Sequence, residues 1–339
     1  MIVVMKPGAS PAQVQHVVDL VRDYGLKDHV IRGTDRTVVA CIGDKRAVDK
    51  GAIENAPMVE RVVPILAPYK MASTEVKQQK TSVLIGPEKF PLGSTKVGMI
   101  AGPCAVENRD QIMRTAEMVR SAGAIGLRGG AYKPRTSPYS FQGMGEEGLK
   151  ILADARDATG LAIVTEAVGV ETIDLVAEYA DVVQIGARNM QHYPLLEAAG
   201  RIDKPVMIKR GLTAQLDEWL LAAEYVINAG NPNVILCERG IRTYEDHVRN
   251  TLPLTSVPAL LDKTHLPIVV DPSHGTGHAN LVPAMCRAGV ASGADGLIVE
   301  VHPDPEHALS DGAQSITPQV LADLMPICKR IAQAIGREM

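Results

Sequence analysis

Residues 97–128 read VGMIAGPCAVENRDQIMRTAEMVRSAGAIGLR. The apolar run at 97–101 is too short for a helix and is closed by Gly102-Pro103. Residues 111–121 then set Ile112, Ala116 and Val119 on one helical face, and a second apolar run follows at 124–127. This is a strand, a helix and a second strand that must run parallel to the first. The alternation returns along the chain, with strand candidates at 162–165, 182–185, 206–208, 234–237, 268–270 and 296–299. The last helix starts at a Thr317-Pro318 cap and carries Val320, Leu324, Ile327, Ile331 and Ile335, with Pro326 expected to kink it. Eight strand–helix units in about 250 residues are the pattern of an α/β fold of the (β/α)8 TIM-barrel type. A doubly wound sheet is the alternative, but no G-x-G-x-x-G follows the first strand.

Upstream of the barrel the period changes. Residues 2–5 form an apolar strand, and Ser10-Pro11-Ala12-Gln13 offers an N-cap, a proline at the first helical position and a residue that closes a capping box. Val14, Val17, Val18 and Val21 follow at helical spacing until Gly25. Strands at 29–32 and 37–42 flank the Gly33-Thr34-Asp35 turn, and a short helix near 45–53 precedes a strand at 59–65. The order β-α-β-β-α-β is that of a small ferredoxin-like α+β domain. The chain therefore divides into a ferredoxin-like domain at 1–66, a polar linker at 67–81 and a barrel at 82–339.

Composition narrows the function. At ~150 residues per domain, 339 residues suit two domains or a barrel with an attachment. Aromatics make up only 3%, so the core must be built from Val, Ile, Leu, Ala and Met. The net charge is −4, with no Lys/Arg run, which leaves no electrostatic footprint for nucleic acid or an anionic membrane. No apolar run reaches the ~18 residues a membrane span needs, and the N-terminal run is too soon broken by Lys6-Pro7-Gly8 for a signal peptide. Five widely spaced cysteines (Cys41, Cys104, Cys237, Cys286 and Cys328) do not form a disulfide framework. A cytoplasmic protein is expected.

In a barrel, chemistry gathers where strands end. Polar and ionisable residues follow all eight strand candidates: Gly102-Pro103-Cys104, Arg128 to Ser137, Thr165-Glu166, Gly186-Ala187-Arg188, Lys209-Arg210, Cys237-Glu238-Arg239, Asp271-Pro272-Ser273-His274 and Glu300-Val301-His302, with Asp311 beyond. One group is cationic: Arg128, Lys133, Arg135, Arg188, Lys209 and Arg239. Taken singly, each is equally well a solvated residue or an ion-pair partner. Together at one mouth they would repel unless anions lay between them, which points to substrates rich in phosphate and carboxylate. The second group, Cys104, His274, Glu300 and Asp311, joins a thiolate, an imidazole and two carboxylates, which suits a divalent first-row metal better than Mg²⁺ or Ca²⁺. Its spacing carries no local metal motif. A buried thiol and a loop histidine are the alternative reading, against which barrel closure sets strands 1, 7 and 8 side by side.

With these residues assembled, Gly102-Pro103-Cys104, Lys133-Pro134-Arg135-Thr136, Gly186-Ala187-Arg188, Asp271-Pro272-Ser273-His274 and Glu300-Val301-His302 together resemble 3-deoxy-D-arabino-heptulosonate 7-phosphate (DAHP) synthases. The N-terminal unit is similar to the regulatory domain of their type I-beta branch. The resemblance covers nearly all of 80–339 and implies condensation of phosphoenolpyruvate with erythrose 4-phosphate, opening the shikimate route. It implies a metal (Mn, Fe, Co or Zn) on Cys104, His274, Glu300 and Asp311. Arg128, Lys133, Arg188, Lys209 and Arg239 would hold phosphoenolpyruvate, and Arg135 and Thr136 the phosphate of the aldose. Lys133 is the first candidate for proton transfer and His302 the second. The related 3-deoxy-octulosonate 8-phosphate synthases, which use arabinose 5-phosphate, are the rival within the superfamily, and Pro134-Arg135-Thr136 favours the shorter sugar. A non-catalytic effector-binding protein is the rival from another class. Feedback inhibition by Tyr or Phe through the N-terminal unit and a homotetramer complete the expectations, with pure assembly as the other role for that unit.

Overall fold

The computed structural model describes residues 1–33, 36–43, 48–63, 67–134, 137 and 139–339. Arg135 and Thr136, Thr34 and Asp35 of the expected turn, and the expected element ends near 45 and 65 lie outside the described residues. Chain contacts separate two compact units, Met1–Gln79 with Lys263–His265, and Lys80–Asp262 with Leu266–Met339.

The first unit runs β1 (Ile2–Met5), α1 (Pro11–Asp23), β2 (Lys27–Arg32), β3 (Thr37–Ile42), α2 (Lys50–Glu54) and β4 (Val59–Val63). The capping box forms: Ser10 Oγ accepts from the Gln13 N–H and Gln13 Oε1 from the Ser10 N–H, at 3.4 and 2.9 Å. The helical stripe Val14, Val17, Val18 and Val21 packs against Val3, Met5, Val39 and Cys41. The strands pair antiparallel in the order β2-β3-β1-β4, the ferredoxin-like arrangement. On the opposite sheet face Ile2 and Ala40 cluster with Val76. Residues 67–79, read from sequence as linker, are turns and bends grouped with this unit, and Tyr69, Met71, Ala72 and Ser73 are buried there.

The second unit opens with a hairpin that sequence periodicity missed, β5 (Val83–Ile85) and β6 (Phe90–Leu92). The barrel follows as β7 (Gly98–Gly102), α3 (Arg109–Ser121), β8 (Gly126–Arg128), α4 (Glu146–Thr159), β9 (Ala162–Ala167), α5 (Val170–Tyr179) and β10 (Val182–Ile185). It continues as α6 (Tyr193–Ala199), β11 (Val206–Lys209), α7 (Leu216–Asn228), β12 (Val234–Glu238), α8 (Ser256–Lys263) and β13 (Ile268–Val270). Then come α9 (Pro272–Thr276), α10 (Val282–Ala291), β14 (Gly296–Glu300) and α11 (Pro318–Ala334). All eight strands pair parallel and close, β14 returning to β7, so the ends of β13, β14 and β7 are neighbours. Helix α11 corrects the sequence reading in one respect. It buries Leu321, Leu324, Cys328 and Ala332, whereas Val320 and Ile335 are exposed.

Val83, Ile85 and Leu92 of the hairpin pack with the inward residues Ile100, Ala162, Val182, Met207, Ile235, Val269 and Ile298. A Cβ added at Gly98 or Gly296, the first residues of β7 and β14, would lie 3.3 and 3.1 Å from Leu92 Cδ1. The hairpin thus plugs the N-terminal end of the barrel, and the other end carries the polar residues. Leu92→Ala is expected to lower the unfolding free energy by about 3 kcal/mol, measured by urea denaturation. Undiminished stability would show that the plug is not part of the core.

Candidate active site and metal centre

Each strand ends on a residue whose placement follows from local chemistry. At the end of β7, Gly102 has φ of 155°, and a Cβ there would lie 2.2 Å from the Arg128 carbonyl oxygen. This close approach lets the Cys104 carbonyl accept from Arg128 Nη2 at 3.4 Å and from Lys133 Nζ at 2.9 Å. At the end of β13, Asp271 caps α9 by accepting from the His274 N–H at 2.9 Å, with Pro272 at the first helical position. The short helix holds His274 with its Nδ1 2.7 Å from Asp271 Oδ2, off the line of a directed hydrogen bond. Ser273 Oγ accepts from the Glu300 N–H, tying α9 to the end of β14.

Cys104, Glu300 and Asp311 place a thiol and two carboxylate oxygens within 4.8 Å of one another. Cys104 Sγ lies 3.2 Å from Asp311 Oδ2 and 2.9 Å from Lys133 Nζ, and His274 Nε2 is 3.5 Å from Glu300 Oε1. Glu300 is fully buried. Its Oε2 accepts from Gln314 Nε2 at 2.6 Å. Its Oε1 has an ion pair with Arg128 Nη2 at 3.2 Å but no directed hydrogen bond. A buried carboxylate oxygen with a free lone pair, beside a thiol, an imidazole and a second carboxylate, fits a divalent cation of the Zn, Fe or Co type. Burial, helped by the Lys209 charge and outweighing the attraction of Asp271 and Glu300, holds His274 down at about 4, so its imidazole is neutral and able to ligate. Burial, with the Glu300 charge, pushes the Cys104 thiol up to about 12. Burial opposes ionisation of Asp311, but Arg249 and His274 outweigh it and bring the carboxyl to about 2.

Beside this cluster lies a cavity of about 310 Å³ lined by Lys133, Pro134, Ser137, Ser140, Glu166, Arg188, Arg239, Arg249, His274 and Asp311. Among the sequence candidates, Lys133, Arg188, Arg239, His274 and Asp311 line it, and Cys104, Glu300, Arg128 and Lys209 are buried around it. Lys209 Nζ is 2.6 Å from Asp271 Oδ2. Arg128 Nη1 and Arg239 Nη1 are buried without a partner, as expected of donors aimed at an anion. His302 turns away: its Nδ1 accepts from the Asp304 N–H and its Nε2 faces Glu107 Oε2 at 3.5 Å.

Three participants received no role from the sequence, although Glu166 and Asp271 stand among its strand-end residues. Glu166 lines the cavity with its carboxyl held above the usual range by burial, partly offset by Lys133, Lys209 and Arg128. Asp271 links Lys209 to His274. Arg249 reaches Asp311 Oδ1 at 3.4 Å from the stretch between β12 and α8, and the length of that structureless connection was the available signal.

A closed parallel barrel with cations and a thiol–carboxylate–imidazole cluster at its C-terminal mouth has the architecture of a TIM-barrel enzyme. The model of the DAHP synthetase I family matches residues 75–337 and that of the DAHP synthase ferredoxin-like domain matches residues 1–67. The chain belongs to the DAHP synthetase I family, whose members are transferases. It is 49% identical to the phospho-2-dehydro-3-deoxyheptonate aldolase of Thermotoga maritima over 99% of both chains. A crystal structure of the DAHP synthase from that organism superposes with a TM-score of 0.79, at 48% identity, covering 99% of this chain and 98% of that one. A 2-dehydro-3-deoxyphosphooctonate aldolase of Syntrophotalea carbinolica is 37% identical over 66% of this chain and 86% of its own length. No helix among the described residues is long and apolar enough to cross a membrane.

Proposed function

We propose that the chain condenses phosphoenolpyruvate with erythrose 4-phosphate to give 3-deoxy-D-arabino-heptulosonate 7-phosphate and inorganic phosphate, the entry to the shikimate route. The observation that carries this reading is one cavity lined by Arg188, Arg239 and Lys133 together with His274 and Asp311, the latter grouped with the buried Cys104 and Glu300. Similarity to a heptonate aldolase over the full chain supports the seven-carbon product. Arg128, Lys133, Arg188, Lys209 and Arg239 hold the phosphate and carboxylate of phosphoenolpyruvate, and Arg135 and Thr136 of the Lys-Pro-Arg-Thr motif take the aldose phosphate. Cys104, His274, Glu300 and Asp311 hold a divalent metal, whose chemistry when bound is Lewis-acid polarisation of the aldehyde.

The remaining steps fall to the chain. The cations neutralise two anions that otherwise repel and bring the enol carbon within reach of the aldehyde carbon. The enol π pair becomes the new carbon–carbon bond as the aldehyde's C=O π pair moves onto its oxygen, and Lys133 gives the resulting alkoxide its proton. Water adds to the electron-poor carbon that bears the phosphate, and the carbon–oxygen bond to phosphate then breaks. The proton lost by that water needs an acceptor. Glu166 is the cavity carboxylate outside the metal set, and we assign it this role. The ferredoxin-like domain serves feedback inhibition by Tyr or Phe in a homotetramer. The buried free thiols suit the reducing cytoplasm.

Chelation should abolish turnover, and Mn²⁺, Fe²⁺, Co²⁺ or Zn²⁺ should restore it. Erythrose 4-phosphate should be consumed faster than arabinose 5-phosphate, and Tyr or Phe should slow the full chain. Faster turnover of arabinose 5-phosphate would favour the octonate reaction, and no turnover of either aldose a pure effector-binding role. Arg188 is exposed, so Arg188→Gln should leave the thermal midpoint unchanged and raise the KM for phosphoenolpyruvate by about tenfold to a hundredfold. An unchanged KM would remove Arg188 from the substrate contacts. A base acts only when ionised, and the Glu166 carboxyl titrates above its usual range. Activity should therefore fall as pH drops through that raised value. Glu166→Gln should cost about a hundredfold in kcat and flatten this acid limb; a persisting limb would point to another base.

A further inference from the structure

We propose that Glu107 is a positioning residue, a clasp that ties the segment carrying Cys104 to the loop carrying Asp311 and so sets the span of the metal centre. The inference rests on the metal centre proposed above. Asp311 stands on a loop after β14 that is built of short turns at Pro305–His307 and Gly312–Gln314. Its backbone is left-handed, with φ 53° and ψ 32°, which costs a non-glycine residue free energy and persists only where neighbouring contacts enforce it. The loop's own apolar side chain does not anchor it, since Leu309 is 53% exposed. Its backbone is anchored instead: the Leu309 N–H donates to Glu107 Oε1 at 2.8 Å, two residues before Asp311.

The other end of the clasp is rigid. Glu107 follows Cys104 by three residues, two before the first residue of α3, and its N–H donates to Gln111 Oε1. Val106 N–H donates to the Gly130 carbonyl, and Gly130 N–H to that of Cys104. One short, braced segment therefore carries both the thiol and the carboxylate that grips the Asp311 loop. The second oxygen of Glu107 faces a ring N–H without a directed hydrogen bond. His302 Nδ1 accepts from the Asp304 N–H, so Nε2 carries the ring proton, and it faces Glu107 Oε2 at 3.5 Å. The side chains of Glu107 and His302 are 9% and 6% exposed. A carboxylate presents an acceptor oxygen to both of these donors, although only the Leu309 N–H makes a directed hydrogen bond. A glutamine here turns one N–H donor against either the Leu309 N–H or the His302 ring.

Full-length protein stripped of metal and titrated with Co²⁺ tests the clasp, read by the thiolate-to-Co²⁺ band in the near ultraviolet and by Kd from chelator competition. The parent should show the band and Cys104→Ser should lose it. Glu107→Ala should keep the band, because Cys104 still ligates, with a Kd weakened by about tenfold to a hundredfold; excess Co²⁺ should recover most of kcat. Glu107→Gln, of nearly unchanged size, should fall between parent and Ala, and decides alone if Glu107→Ala does not fold. A Glu107→Gln Kd equal to the parent's overturns the clasp and leaves the metal centre standing. A parent without the band overturns the metal centre, and the clasp with it.

Discussion

Burial of opposite charges at the mouth of a closed barrel is the constraint on which the site depends. Parallel closure delivers every strand's C-terminal end to one rim, and at that rim Arg128, Lys209, Glu238 and Glu300 are almost fully buried. An isolated ion there would lose several kcal/mol of hydration. Each is paired: Arg128 with Glu300, Lys209 with Asp271, and Glu238 with Arg210 at 2.7 Å. Removing one partner strands the other, so pairing locks these side chains in position before any substrate arrives. The site is preorganised by the same contacts that make its charges tolerable.

The pairs differ in how complete they are. Glu238 spends both oxygens, accepting from Arg210 Nη1 and from the Gly240 N–H, and so shapes the turn that aims Arg239. Asp271 divides its oxygens between the His274 backbone, its imidazole and Lys209. Glu300 alone keeps an oxygen with no directed donor. That asymmetry sets Glu300 apart from the other two paired carboxylates: it has an oxygen left to offer the cation proposed above.

The barrel was legible because strands buried on both faces read as unbroken apolar runs, and all eight appear where those runs fall. Their ends were read one residue short at Arg128, Lys209, Glu238 and Glu300, where a charge ended the run but the ladder continues, as in Lys209 opposite Cys237 and Glu300 opposite Gly102. Charge signals a loop only when it is solvated; here each is paired across the barrel, and the partner is remote in sequence. The hairpin at 83–92 was invisible because its three-residue strands are too short for any period. The α11 stripe was assigned to bulky Val320 and Ile335, although helices α3 and α10 pack against α11 and the buried face there includes Cys328 and Ala332. The cations and metal donors stood out through their residue types at strand ends. Glu166, Asp271 and Glu107 did not, because a carboxylate's role is set by what it faces.

Where the anions should settle follows from what is left unpaired. Among the described residues, Arg188 and Arg239 have no ion-pair partner, and both line the cavity. Arg239 is buried, and the cost of that burial lowers its pKa despite the attraction of Asp271. A guanidinium in that state gains most from a multiply charged anion, because the ligand restores the solvation that folding removed. Arg128 and Lys209 already share a carboxylate each, so the same anion gains less from them and more from their fixed direction. In the reaction proposed above, Arg188 and Arg239 are therefore the residues to take the phosphate of phosphoenolpyruvate. Lys133 lines the same cavity and lies 2.9 Å from Cys104 Sγ, so its ammonium is the cavity donor nearest the thiol for the proton transfer proposed above.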